Sequence, residues 1–297
     1  MKVANRISAE IVAGSVLIQN STIMKYRVWL LPMTGQLLNT EEIVTDLDIS
    51  HLTIEDDTPV DNLQSEKQQR LLVEPLYGSK PIPSPFLAAA NVGLFYKLKG
   101  DPVVPDMMLS LGVQCADDFS KKQNRSYFVW EFGKLPEVCI EIVSNQEGDE
   151  LTLSRKSRQK GKTTIKKDLY AQIHVPYYVV FDPLKQIQGK DDMSEALLRV
   201  WASAPDGYTE LTLTEGISEV GQPIWLNAAG LGLVLWEGQF EEDVTRTWLR
   251  WCDLNGQVIP TGAERAEIES QGRETERQRA ERLAERLREL GVDPDEI

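Results

Sequence analysis

The segment Glu137-Val138-Cys139-Ile140-Glu141-Ile142-Val143-Ser144 is the densest run of β-branched residues in the chain. This composition predicts a buried strand. One acid, Glu141, lies inside the apolar run. An ionised carboxylate in a buried strand costs several kcal/mol unless it is paired, hydrogen-bonded or bound to a metal. The segment therefore predicts a core strand that carries a carboxylate in need of a partner.

A second apolar segment, residues 103–109, also carries one acid, Asp106. Either acid alone could point to solvent from a half-exposed strand or pair with an arginine. Two acids on neighbouring β elements also supply the hard oxygen ligands that a shared divalent cation takes. The spacing alone leaves both interpretations open: a shared cation, or acids that face solvent.

The elements around these two segments predict an α/β core. A helix is expected from Ser65, where Ser65-Glu66-Lys67-Gln68 fits a capping box, to about Val73, ahead of Pro75. A second helix is expected over Lys162–Ile173, where apolar residues recur every four positions. Strands are expected at 86–96, 103–113, 126–132, 137–144 and 176–181, and a small additional β layer at 197–201, 208–213, 224–226 and 231–236.

The two ends of the chain differ from this core. Residues 1–60 include an acidic stretch without a strong period, which predicts a variable, partly ordered extension. Residues 61–255 are expected to form the main domain, and residues 256–297 a charged C-terminal helix. An apolar seam on that helix indicates either a solvated helix that docks over a short length or a short coiled coil that makes a homodimer. The seam consists of Ala280, Leu283, Leu287 and Leu290.

Composition excludes several classes of protein. The 297 residues include 32 Lys+Arg and 46 Asp+Glu, a net charge of −14, with 41% hydrophobic residues, which is typical of a globular protein. No run of about 18 apolar residues occurs, so a membrane-spanning helix is not expected. Three Cys and two His without CxxC or HxxxH spacing argue against a disulfide scaffold and a zinc site. These features indicate a cytoplasmic protein.

A basic segment follows Glu141. Residues 155–167 contain seven Lys or Arg and no acid. From Lys121 to Lys167 there are eleven basic and six acidic residues, a local charge of 11 − 6 = +5 in a chain of charge −14. Such an inversion suits contact with a phosphate backbone, although a solvated loop and helix face would have the same composition.

Four blocks, in order, resemble the Uma-type restriction endonuclease family of the PD-(D/E)XK nuclease superfamily, over roughly residues 60–240. The blocks are Val104-Pro105-Asp106, residues 136–144, Lys166-Lys167-Asp168-Leu169-Tyr170, and residues 175–183. The resemblance implies a restriction-endonuclease-like core, with a mixed central sheet flanked by helices. It also implies metal-dependent hydrolysis of DNA phosphodiester bonds.

The resemblance also implies the roles of individual residues. Asp106 and Glu141 would hold Mg²⁺ (or Mn²⁺), and a lysine would stabilise the developing negative charge. The superfamily pattern expects that lysine two residues after the glutamate, where this chain has Val143. In the Uma-type family it comes from the following helix, four residues before a tyrosine, which corresponds to Lys166. Lys167 is the second choice. Asp149 and Glu150 are candidates for partners of the metal ligands, and Glu66 and Glu74, at the two ends of the first helix, are candidates to reach the metal itself.

The sequence supports a second hypothesis as well. Val143 replaces the usual lysine, and a net charge of −14 disfavours tight non-specific binding to DNA. A catalytically silent protein with the nuclease fold, which binds nucleic acid or acts as a scaffold, is therefore the alternative to an active endonuclease.

Overall fold

The residues that the structure describes form three sheets and four α-helices. The computed structural model describes residues 48–52, 62–146, 149–153, 164–212, 220–290 and 293, and those from Ile49 onward belong to one unit. The elements are α1 (Leu63–Ser79), β1 (Phe86–Ala90), β2 (Leu94–Phe95), β3 (Met107–Leu111), β4 (Tyr127–Phe128), α2 (Val129–Phe132), β5 (Val138–Ile142), α3 (Lys166–Gln172), β6 (Tyr177–Phe181), β7 (Leu198–Ala204), β8 (Gly207–Glu210), β9 (Ile224–Leu226), β10 (Leu231–Gln239), β11 (Thr245–Cys252) and α4 (Gly262–Glu289).

Six strands form a mixed central sheet in the order β1-β3-β5-β6-β7-β8. Only β5 and β6 run parallel, and the other neighbouring pairs are antiparallel. The parallel pair needs a crossover connection, which contains α3. The strands β11, β10 and β9 form a separate antiparallel sheet, and β2 pairs with β4. The mixed α/β fold with a C-terminal helix is therefore as predicted.

The two faces of the central sheet contribute to different hydrophobic clusters. On β5, Val138, Ile140 and Ile142 join a cluster that includes residues of α1 and of the three-stranded sheet. Cys139 and Val143 face the other way, into a cluster that contains Tyr170 of α3. Because side chains alternate along a strand, Glu141 lies on the same face as Cys139, towards α3.

The first helix departs from its predicted bounds. Asn62 is its N-cap and accepts a hydrogen bond from the Ser65 amide at 2.9 Å, so the capping residue lies three positions earlier than predicted. The helix then continues through Pro75 and ends at Lys80, which adopts a left-handed conformation. Both ends were mispredicted because Asn62 and Ser65 are both good caps, and packing in the core overrides the proline penalty.

Other strand predictions need correction. The segment 86–96 is two strands separated at Asn91, whose φ is +52°. The strand predicted at 126–132 is only the two-residue β4, and the remainder of that segment is the helix α2. The segments predicted as part of a small β layer at 197–213 instead belong to the central sheet as β7 and β8. The strand β11 was not predicted, since Thr245–Cys252 carries aromatic and charged residues without a clear period. The domain boundaries remain predictions, and most of 1–60 lies outside the described residues.

The N-terminal end of α4 is held by hydrogen bonds to the rest of the chain, whereas the side chains along the helix are not buried. Thr261 and Glu264 form a capping box, and the Glu264 carboxylate also accepts two hydrogen bonds from Arg250, at 2.7 and 2.8 Å. The Gly262 amide donates to Glu74 at 2.8 Å. None of the residues in the helix is buried, and Leu283 and Leu290 of the seam are 57% and 67% exposed. The seam therefore does not dock on the described part of the chain.

Within the part of the chain that the structure describes, no helix is both long and apolar enough to cross a membrane.

The contact between α1 and β11 leads to a prediction about stability. The fully buried Gln68 side chain donates to the Leu249 carbonyl at 2.7 Å and accepts from the Leu249 amide at 3.1 Å. Gln68→Ala would leave both backbone groups unsatisfied, so we expect the free energy of unfolding to fall by about 2–4 kcal/mol. The half-buried Gln64, on the same helix, is the matched control, and Gln64→Ala should change stability by less than about 0.5 kcal/mol. Equal losses in urea denaturation would contradict this assignment.

Candidate active site

Glu141 is buried in β5 and is held by two side chains of α3. Its side chain is 1% exposed. Lys166 Nζ donates to Glu141 Oε2 at 2.8 Å, and the Tyr170 hydroxyl donates to Glu141 Oε1 at 3.0 Å. Lys166 and Tyr170 are four residues apart, so one face of the helix presents both donors to one carboxylate. The sequence analysis expected a partner for the buried Glu141 carboxylate. The structure provides two, the Lys166 ammonium and the Tyr170 hydroxyl.

Burial dominates the protonation of Glu141. Removal from water raises the pKa of Glu141 to about 8; the nearby Lys166 charge acts against this, and the charges of Asp106 and Glu150 add to it. Burial alone would lower the pKa of Lys166, but the charges of Glu141, Glu150 and Asp106 outweigh burial and raise it. Lys166 therefore stays an ammonium, and Glu141 is the group that exchanges protons near neutral pH.

The start of α3 is fixed by the segment that follows β5. The Lys166 amide donates to the Asp149 carbonyl at 2.8 Å, and the Lys167 amide donates to the Glu150 carbonyl at 3.1 Å. These bonds satisfy two of the amides that a helix start leaves open, since Ile165 provides no side-chain cap. Asp149 and Glu150 are both buried. The backbone at these two acids thus sets where Lys166 begins the helix.

Asp106 lies beside Glu141 because of strand register. It immediately precedes β3, and the pairing of Met107 with Ile140 continues to Asp106 beside Glu141. Asp106 Oδ2 accepts a hydrogen bond from the Ile142 amide at 2.6 Å, and Oδ1 accepts one from Gln69 at 3.0 Å. The three residues singled out from the sequence, Asp106, Glu141 and Lys166, are therefore neighbours in the structure.

The donor set fits a hard divalent cation. Two carboxylates on adjacent strands offer oxygen ligands, and a cation between them would offset the repulsion that contributes to the raised pKa of Glu141. Among the described residues, no group of three or more His, Cys, Asp or Glu is arranged to hold a metal ion. Mg²⁺ does not require such a group, because it is commonly bound by one or two carboxylates together with water and phosphate oxygens.

Lys167 is directed away from the two acids. Its ammonium lies 5.3 Å from the centre of the Trp201 ring, and the Arg199 guanidinium lies 4.9 Å from the same ring. Of the two lysines at the start of α3, Lys166 is therefore the one that contacts Glu141. The basic side chains from Arg155 to Lys162 lie outside the described residues.

The two helix acids considered as metal partners lie elsewhere, and two amides that the sequence did not indicate are present instead. Glu66 pairs with Arg70 on the surface, and Glu74 binds the first amide of α4. Gln69 contacts Asp106, and Asn91 contacts Gln69. Glutamine on a helix and asparagine after a strand are common everywhere, so the sequence offered no signal for either.

Comparison with models of known protein families finds none that matches this chain, and comparison with curated proteins finds no significant match.

The raised pKa of Glu141 predicts a pH-dependent stability. Between about pH 4.5 and 8 the folded protein holds a proton on Glu141 that the unfolded chain releases, so stability falls as pH rises through this range. Glu141→Gln cannot titrate, and its stability relative to wild type should increase from pH 5 to pH 8, by on the order of 2–4 kcal/mol. Urea unfolding at both pH values measures the difference. The control is Asp168→Asn, which makes the same acid-to-amide change at an exposed position of α3. A constant difference for Glu141→Gln would overturn the assignment.

Proposed function

We propose that this chain is a Mg²⁺- or Mn²⁺-dependent endonuclease that hydrolyses DNA phosphodiester bonds, with a restriction-endonuclease-like core. The observation that carries the proposal is the 2.8 Å contact of Lys166 with Glu141, next to the Asp106 carboxylate. Two acids and one lysine from three separate elements meet at one position. Such a set of groups can support metal-assisted phosphodiester hydrolysis.

The positions of the resembling blocks support the same function. Asp106 precedes β3, Glu141 lies in β5, Lys166 opens α3, and the fourth block spans β6. The strands β3, β5 and β6 are consecutive in the central sheet, and α3 covers the face on which Glu141 lies. Blocks that are separate in the chain therefore lie around one carboxylate.

Each side chain has a distinct role in this proposal. Asp106 and Glu141 would hold the ion, which supplies Lewis-acid activation of the scissile phosphate and of an attacking water. Lys166 keeps its proton, so its ammonium stabilises negative charge that develops on the phosphate. Tyr170 donates to Glu141 Oε1 and fixes the orientation of that carboxylate.

DNA is the proposed substrate because of the local charge. The segment Lys121–Lys167 carries +5 in a chain of −14, and it includes the start of α3. Binding through such a segment would release counterions, so we expect affinity for DNA to decrease strongly with salt.

The alternative, a catalytically silent protein with the same fold, is favoured by the burial of the acids. Asp106 is 8% and Glu141 is 1% exposed, and both accept hydrogen bonds from within the protein. A carboxylate with a pKa of about 8 is mostly protonated at neutral pH and binds a cation only if it releases that proton. In this alternative the contact of Lys166 with Glu141 would serve the fold alone.

The exposed seam of α4 supports a homodimer as a further part of the proposal. Leu283 and Leu290 are apolar and uncovered, and the surrounding Glu and Arg residues form pairs along the helix, such as Arg277 with Glu281 at 3.0 Å. A second copy of the same helix would bury the seam, and two copies of the active site would suit cleavage of both strands. A cytoplasmic location fits the three free cysteines, Cys115, Cys139 and Cys252.

The test of the proposal is cleavage of plasmid and single-stranded DNA with Mg²⁺ or Mn²⁺. We expect metal-dependent nicking by the wild type and a decrease of about 10²-fold or more in Asp106→Asn and in Lys166→Ala. The first variant loses a ligand of the ion, and the second loses the positive charge that stabilises the phosphate.

An exposed acid of α3 serves as the matched control for Asp106→Asn. Asp168→Asn alters an acid that does not contact Glu141, and it should retain cleavage within a few-fold. If the wild type cuts no DNA, or if Asp106→Asn cuts as well as the wild type, the endonuclease proposal is wrong and the silent alternative holds.

A further inference from the structure

A buried side-chain amide on the first helix donates a hydrogen bond to Asp106. Gln69 is 5% exposed, and its Nε2 donates to Asp106 Oδ1 at 3.0 Å. The same amide nitrogen lies 3.4 Å from Ser65 Oγ. Ile142, on β5, donates its backbone amide to Asp106 Oδ2 at 2.6 Å. Each oxygen of the Asp106 carboxylate therefore accepts a hydrogen bond from a different element.

The orientation of the Gln69 amide is set by a third residue. Asn91 Nδ2 donates to Gln69 Oε1 at 2.8 Å, and this commits the Gln69 oxygen to Asn91. The NH₂ group of Gln69 must then face Asp106. Without this contact, a rotation of the amide by half a turn would present oxygen to the carboxylate and repel it.

The backbone at Asn91 is arranged for this contact. Asn91 ends β1 with a φ of +52°, a conformation that asparagine tolerates better than most residues. Its backbone amide donates to the Asp106 carbonyl at 3.2 Å. Asn91 therefore binds both the backbone of Asp106 and, through Gln69, its carboxylate.

We propose that Gln69 and Asn91 are positioning residues that orient the Asp106 carboxylate and thereby increase the affinity of the site for a divalent cation. This inference rests on the proposed function, in which Asp106 is a ligand of that cation. Hydrogen bonds from outer residues fix the direction of a ligating carboxylate, and their loss typically weakens metal binding by about 10–100-fold. The free-energy cost of ordering the Asp106 carboxylate when a cation binds is then smaller.

A purely structural role for Gln69 makes a different prediction. In a purely structural role, Gln69 would hold α1 against the central sheet by its hydrogen bond, as its neighbour Gln68 holds α1 against Leu249 of β11. Loss of such a hydrogen bond would lower the stability of the protein and leave its affinity for a cation unchanged. Gln68 is thus a matched control for Gln69: it is a buried glutamine on the same helix, with two hydrogen bonds that do not involve Asp106.

The experiment is isothermal titration of the full chain with Mn²⁺ alone, without DNA, so that no activity is required. Gln69→Leu should weaken Mn²⁺ binding by about 10–100-fold. Asn91→Ala should weaken it in the same direction, and Gln68→Leu should bind Mn²⁺ like the wild type although it is less stable. Gln69→Glu places a third carboxylate beside Asp106. It should have a lower melting temperature than the wild type without metal and recover more of it on addition of Mn²⁺.

The outcomes separate this inference from the proposed function. If the wild type binds Mn²⁺, Asp106→Asn abolishes the binding and Gln69→Leu leaves it unchanged, the positioning role is wrong while the metal site stands. If Gln68→Leu weakens binding as much as Gln69→Leu, the effect reflects general loosening of α1, and the inference is also wrong. If the wild type binds no Mn²⁺, both the metal site and the positioning role are overturned.

Discussion

The ion pair between Glu141 and Lys166 constrains much of the surrounding structure. A carboxylate inside the central strand of the sheet costs several kcal/mol unless its charge is matched or neutralised. One helix supplies both partners, Lys166 and Tyr170, and their spacing of four residues requires that α3 lie with this face on β5. The backbone of Asp149 and Glu150 in turn fixes where the helix begins. The crossover between the two parallel strands is therefore organised around one buried acid.

Asp106 links the helix α1 to the site around Glu141. The helix α1 packs Leu72 and Leu76 into the cluster that faces away from α3, yet Gln69, on that helix, donates to the Asp106 carboxylate just before β3. The backbone of β5 contributes the second hydrogen bond. Displacement of α1 would therefore alter the direction of Asp106, and displacement of α3 would expose Glu141. The stability of both helices and the geometry of the candidate site depend on the same few contacts.

The sequence predicted those features that rest on local pattern. The run around Glu141 predicted a buried strand because β-branched residues fit a pleated interior, and helical spacing correctly put Lys166 and Tyr170 on one face. Contacts between distant residues could not be predicted. Gln69 is 37 residues from Asp106 and 22 from Asn91, and an amide has no distinctive pattern before its partners are known. The beginning of α1 was misassigned because Asn62 and Ser65 compete as caps, and only packing decides between them.

The charge balance at the site determines its affinity for a cation, and this affinity distinguishes the endonuclease from the catalytically silent protein. Asp106, Glu141 and Glu150 would together carry three negative charges beside the single positive charge of Lys166, and this excess contributes to the raised pKa of Glu141. A proton on Glu141 relieves part of the excess, whereas a divalent cation would remove two units of it and leave Glu141 ionised. A proton and a cation thus compete for the same carboxylate. Cation binding should therefore strengthen as pH rises towards 8, and the free energy gained from the ion must exceed the cost of removing that proton. In the silent alternative, Glu141 keeps its proton at every cation concentration that the protein meets. The two hypotheses then differ in the affinity of the site for a cation and not in the fold.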